Sequence, residues 1–173
     1  VIYLGTFSKS IAPSLRISYM VLPLHLLKKY QESCSFYSTT VSKIQQEVLQ
    51  EFIRGGYFGR HLNKMRGIYK NKHDFLVGEL KKKNWVENIA GDNAGLHVLV
   101  HVNTMLTEEE ICKKAAECGI RLMGIREHYI HTPPEGRPVL LLGYGKPDEQ
   151  EIQKGLEVLE SIVLENRIPL PLR

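Results

Sequence analysis

The sequence predicts an α/β fold that closes in a small α+β unit, and three observations carry that expectation. β-branched and aromatic runs bounded by proline open the chain, a long apolar stripe at helical spacing occupies its middle, and strand-like runs alternate with capped helices in its second half. Of the 173 residues, 43% are hydrophobic, enough to fill a core and to exclude a disordered or collagen-like chain.

Residues 1–6 read as a buried strand that runs into the hydroxyl-rich loop Thr6-Phe7-Ser8-Lys9-Ser10, closed by Pro13. Residues 15–22 form a second β-capable run that Pro23 ends, and 24–30 suit a short helix. Val41, Ile44, Val48 and Phe52 fall at helical spacing until Gly55-Gly56 stops them. Phe58, Leu62, Met65, Tyr69, Leu76 and Leu80 then trace one stripe, which predicts a helix over 57–83. At 1.5 Å per residue it is ~40 Å long, enough to bridge two lobes.

The β-branched run 95–102 predicts a strand. Thr107 with Glu110 three residues on forms a capping box, Ile111, Ala115 and Cys118 give that helix its apolar face, and Gly119 ends it. Residues 120–125 and 139–144 read as strands. The last helix follows Pro147, with Asp148 as N-cap, Glu151 at the third position, and Ile152, Leu156, Leu159 and Val163 facing inward.

The net charge of +4 dictates no polyanionic partner. Cys34, Cys112 and Cys118 lack CxxC spacing, so neither a disulfide framework nor a cysteine zinc site is expected, and a reducing cytoplasm fits. No apolar run approaches the roughly 18 residues of a bilayer span and no export leader opens the chain, so a soluble protein is expected. Val1 begins inside a strand-like run, which suggests a piece of a longer polypeptide.

The densest chemical signal is the stretch from Thr6 to Arg16. A lysine beside a strand end, among small hydroxyl residues, is a candidate amine nucleophile, because partial burial or a neighbouring cation frees its lone pair. Thr6, Ser8 and Ser10 supply hydroxyls, and Arg16 supplies a planar fork that grips phosphate oxygens in pairs. An amine beside a phosphate cradle is what pyridoxal phosphate requires. The competing reading is a solvated loop with incidental Ser, Lys and Arg content.

Tyr3-Leu4-Gly5-Thr6-Phe7-Ser8-Lys9 and Pro13-Ser14-Leu15-Arg16-Ile17-Ser18-Tyr19 resemble the cofactor-lysine segment of fold-type I, class I/II aminotransferases. The step from Lys9 to Arg16 resembles the 2-aminoadipate aminotransferase branch and its relatives, the MocR-type regulators of the GntR family. Tyr57 through Arg66 with Tyr69, then Ala94-Gly95-Leu96-His97, then Leu140-Leu141-Leu142-Gly143-Tyr144 follow in the family's order, so the resemblance covers essentially the whole chain.

The resemblance implies the C-terminal portion of a pyridoxal-phosphate-dependent transferase fold: the end of the large domain over 1–40, connecting helices over 41–83 and a small α+β domain over 84–173. It implies that Lys9 holds pyridoxal phosphate as an imine and that Thr6, Ser8 and Arg16 contact the phosphate. The rest of the pocket would lie upstream, and the chain by itself is expected to be inactive. In ordinary aminotransferases of this type the late strand carries an arginine for the substrate carboxylate. Here Leu141-Leu142-Gly143-Tyr144-Gly145 stands there, and a leucine cannot neutralise a carboxylate. Arg126, and after it Arg121 or Arg137, would supply the charge. Ser18 stands where relatives often carry glycine.

Two functions follow from the resemblance. One is the effector domain of a MocR-type transcriptional regulator, in which an amine or amino acid displaces Lys9 and DNA is bound only through an N-terminal domain absent from this sequence. The other is a catalytic 2-aminoadipate-type aminotransferase, in which Lys9 also moves the proton. A homodimer is implied for the full-length protein in either case, with no membrane partner. Among the remaining residues, His97 and His101 at strand spacing stand about 13 Å apart, too far to share a metal. The cations Arg60, Lys64, Arg66, Lys70, Lys72 and Lys81-Lys82-Lys83 suit a solvated face better than a nucleic-acid track. Cys112 and Cys118 read as small core residues, Glu108-Glu109-Glu110 as first-turn charge on a helix, and Pro133-Pro134-Glu135-Gly136 as an exposed turn.

Overall fold

In the computed structural model, which describes residues 1–93, 95–131 and 136–165, the two opening runs pair with each other. Strand β1 (Tyr3–Thr6) lies antiparallel to β2 (Ser18–Val21), with Tyr3 opposite Val21 and Thr6 opposite Ser18. Between them the predicted loop makes one turn of helix, α1 (Phe7–Ser10), because the Thr6 hydroxyl caps it by accepting from Ser8 N at 3.2 Å. β1 is exposed rather than buried, since a sheet of two strands leaves both faces without a covering layer.

Helix α2 (Leu24–Cys34) begins after Pro23 and outruns the expected 24–30, because no breaker interrupts it. α3 (Lys43–Arg54) carries the predicted stripe, yet Ile44 and Val48 are 73% and 66% exposed. Gly56, at φ 70°, makes the left-handed stop between α3 and α4 (Tyr57–Lys81). The chain divides into two compact units within α4, Val1–Gly67 and Ile68–Arg173. In the first unit Ile17 is the one buried hydrophobic side chain among the described residues.

The second unit holds a developed core. Its antiparallel sheet has the order β3-β4-β6-β5, built from β3 (Val86–Ala90), β4 (His97–Val102), β5 (Met123–Gly124) and β6 (Val139–Gly143). The pleat turns Val98, Val100 and Val102 inward with Leu140 and Leu142, and leaves His97, Leu99 and His101 on the other face. Leu76, Val77 and Leu80 of α4, Ile111 and Ala115 of α5 (Glu108–Glu117), and Ile152, Leu156, Leu159, Ile162 and Val163 of α6 (Glu149–Leu164) close over that face. Trp85 is fully buried, its indole N–H donating to Glu160 Oε1 at 3.3 Å while Lys83 Nζ donates to Glu160 Oε2 at 2.8 Å.

Both predicted capping boxes form, at Thr107/Glu110 and Asp148/Glu151. Strand β3 was not legible, because its residues alternate weakly and a bulge between Val86 and Asn88 interrupts its register. The strand expected over 120–125 shrinks to two residues, Met123 and Gly124. Cys118 is exposed rather than packed, because it stands at the C-cap beyond the buried face of α5. Ala94 and the predicted turn at Pro133, Pro134 and Glu135 lie outside the described residues.

Candidate functional site

The turn that carries Lys9 is fastened from several directions. Phe7 packs at a tilt against Tyr19 and edge-on against Phe58, with ring centroids at 5.1 and 5.9 Å, and its backbone N–H donates to Ile17 O at 2.9 Å. Thr6 Oγ1 donates to Ile17 O at 3.3 Å and Ser10 Oγ to Thr6 O at 3.3 Å. Ser8 is the pivot: it is 9% exposed, its hydroxyl donates to Leu15 O at 2.5 Å, and it accepts from Arg16 Nη1 at 3.4 Å. Arg16 Nη1 also reaches Pro13 O at 3.5 Å. The far limb of the loop thus folds back onto the residue that precedes Lys9, and Thr6, Ser8, Lys9 and Arg16 come together on one turn. Lys9 and Arg16 are exposed.

This donor set fits a dianion that carries an aldehyde. Among the described residues both hydrogen bonds of Arg16 use Nη1, and the arginine and Lys9 are both exposed to solvent. The hydroxyls of Thr6 and Ser8 are engaged with backbone carbonyls, so in this structure they brace the turn.

Arg126 stands in the second unit, on the 3-10 turn Arg126–His128. Its backbone N–H donates to Glu108 Oε2 at 2.9 Å, its Nε lies 3.9 Å from Glu108 Oε1, and Nη2 reaches Gly136 O at 3.5 Å. A cavity of about 870 Å³ opens beside it, lined also by Arg137, Thr104 and Glu109. Arg137 pairs with Glu87 across from β3. Arg121 borders a different hollow, with Lys146 and Lys154. On the late strand Leu142 is buried and Leu141 half-buried, while Tyr144 donates its hydroxyl to Gly95 O at 2.7 Å and meets His73 edge-on.

Glu108 is the residue whose setting sequence reasoning missed. Of the three first-turn acids it alone is buried, at 5% exposure. The signal was its spacing: Glu108, Ile111 and Ala115 share one helical face. Several cations of the basic stripe have partners within the chain. Arg60 stacks on Tyr57 with its guanidinium carbon 4.6 Å from the ring centroid, Lys72 donates to Gly145 O and Lys146 O, and Lys82 pairs with Glu79. Among the described residues no helix is long and apolar enough to cross a membrane.

By comparison with known proteins, the chain is of the aminotransferase-like class. Residues 1–153 match the family described as aminotransferase class I and II. The chain is 39% identical over 162 residues to the uncharacterized HTH-type transcriptional regulator YdeL of Bacillus subtilis (strain 168), covering 93% of this chain and 35% of that protein. It is 30% identical over 176 residues to the probable rhizopine catabolism regulatory protein MocR of Rhizobium meliloti, covering 99% of this chain and 35% of that protein. The crystal structure of LysN, the α-aminoadipate aminotransferase of Thermus thermophilus complexed with N-(5'-phosphopyridoxyl)-L-leucine, superposes with a TM-score of 0.78 at 23% identity, over 95% of this chain and 42% of that one.

The chain belongs to the aminotransferase class I and II family. Its fold is that of the pyridoxal-phosphate aminotransferases, and the cofactor of the family is pyridoxal phosphate. The chain spans about a third of the length of the curated relatives it matches, 35% of each of the two regulators.

Proposed function

We propose that this chain is the C-terminal part of a pyridoxal-phosphate-binding effector domain in a GntR/MocR-type transcriptional regulator that senses an amine or amino acid. The observation that carries the reading is on the late strand, where Leu142 and Tyr144 pack into the second unit's core, Leu141 lies half-buried on the other face and no guanidinium stands, while Arg126 opens onto a cavity from another segment. The regulatory names of the two relatives favour the same reading.

When bound, pyridoxal phosphate supplies an electrophilic carbon that amines compete for. Lys9 supplies the amine that holds it. Arg16 grips the phosphate with its guanidinium, which Ser8 keeps beside the turn. Thr6 and Ser8 add donors by turning their hydroxyls from Ile17 O and Leu15 O. Arg126 takes the carboxylate of an amino-acid effector. Residues 1–40 end the large domain, 41–83 connect, and 84–173 form the small domain. The intact protein is a cytoplasmic homodimer, and its DNA contact falls to a helix-turn-helix domain outside this chain. Effector binding biases two states of the protein through its differential affinity for them.

The test uses the intact protein. Borohydride reduction with pyridoxal phosphate should label Lys9 selectively, Lys9→Ala should abolish labelling, and an amine effector should change affinity for operator DNA without net turnover. Multiple-turnover amino transfer lost in Lys9→Ala would establish the enzyme instead.

A further inference from the structure

We propose that Glu108 is the positioning residue that aims Arg126 at a ligand carboxylate. The idea rests on the reading of Arg126 given above and adds a second-unit residue that neither motif nor composition singled out.

Glu108 is the one charged side chain buried among the described residues. A buried carboxylate is costly unless its lone pairs are met by donors. Here each oxygen receives one backbone N–H: Arg126 N donates to Oε2 and Val139 N to Oε1, both at 2.9 Å. The carboxylate therefore ties together the first turn of α5, the 3-10 turn and the first residue of β6. Gly124 leaves the room it occupies, because a Cβ at that position would stand 2.3 Å from Glu108 Oε2. Helix capping does not account for the burial, since Thr107 and Glu110 already close the capping box of α5.

The same carboxylate also faces the side chain it braces, with Arg126 Nε 3.9 Å from Oε1. An arginine stem has many rotamers, and a ligand that must freeze them binds more weakly. Hydrogen-bonding Arg126 at its backbone N–H, with the carboxylate's charge 3.9 Å from Nε, biases the root of the guanidinium in advance. Its side chain remains 42% exposed, at the wall of the cavity beside Thr104 and Arg137. Glu108 borders the same cavity, and its positioning role is exerted through Arg126.

The test compares Glu108→Gln, Glu108→Asp, Arg126→Ala and the Gln/Ala double variant in the intact, cofactor-loaded protein. The probes are L-norvaline and butylamine, which differ by one carboxylate, with affinities read by calorimetry. Protected amides at Val100 and Val102 confirm folding. Glutamine keeps one acceptor oxygen and so leaves one N–H unmet. Glu108→Gln is expected to weaken L-norvaline by about tenfold or more and butylamine not at all, Glu108→Asp to recover part of the loss, and the double variant to lose no more than Arg126→Ala alone. Nitrogen relaxation of Arg126 Nε, read without cofactor or ligand, is expected to show greater motion in Glu108→Gln. Equal weakening of both amines, additive losses in the double variant, or unchanged Nε motion overturns the proposal. If the unmodified protein does not distinguish the two amines, or if Arg126→Ala weakens both equally, the reading of Arg126 itself fails, and Nε motion alone decides whether Glu108 orders it.

Discussion

Replacing Leu80 by alanine tests whether the second unit holds the chain's stable core. Leu80 sits near the end of α4 with no solvent exposure, enclosed with Trp85, Val98, Val100 and the inner face of α6. The substitution removes most of a fully buried aliphatic side chain and leaves a void between a sheet and helices that cannot easily close on it, so a loss of about 3 kcal/mol is expected. Trp85 is the chain's single tryptophan and lies in the same cluster, so its emission during urea unfolding reports this core directly. With a urea slope of about 1.5 kcal/mol/M, that loss lowers the midpoint by about 2 M. Ile44→Ala is the control: the side chain is 73% exposed on α3. It should change stability by less than about 0.5 kcal/mol. A midpoint shift for Leu80→Ala below about 0.5 M at unchanged slope would refute the assignment of the core.

Other expectations follow from single contacts. Thr107→Ala removes the N-cap of α5 and should cost about 1 kcal/mol by the same urea assay. The backbone N–H of Thr107, and then its hydroxyl, hold the Glu110 carboxyl below its ordinary value, so this half of the box stabilises above the ordinary glutamate range and is lost as pH falls through the lowered value. Amide protection in the first turn of α5 should therefore fall in acid, and protection that rises instead would contradict it. Burial, and then Glu127 and Glu108, push the Cys112 thiol up, so thiol reagents should label exposed Cys118 before Cys112 in peptide mapping. Tyr144→Phe leaves Gly95 O without its donor and should cost about 1 kcal/mol; burial also raises the Tyr144 phenol, which should titrate later than an exposed tyrosine in ultraviolet difference spectra.

Local signals were legible wherever a few neighbouring residues decide the outcome. Both capping boxes, the glycine stop after α3, the long helix and β4 with its inward valines follow from spacing and from side chains that bond within three or four positions. The grouping of Thr6, Ser8, Lys9 and Arg16 was legible for the same reason, since one short loop carries all four.

What depends on distant partners was not legible. A stripe at helical spacing reads alike on α3 and α4, yet Ile44 is exposed and Leu80 fully buried, because burial is decided by what a fold lays over a helix. β3 exists because β4 offers it an edge, and its own residues carry little pattern. Glu108 looked like charge on a helix end until the backbone of residues 126 and 139 came to it. The sequence by itself determined the longer helices, their caps and the grouping of hydroxyl residues around Lys9, because those interactions close within a few residues. Only the tertiary structure decided which apolar faces are covered and which carboxylate is buried, because desolvation is set by atoms far away along the chain.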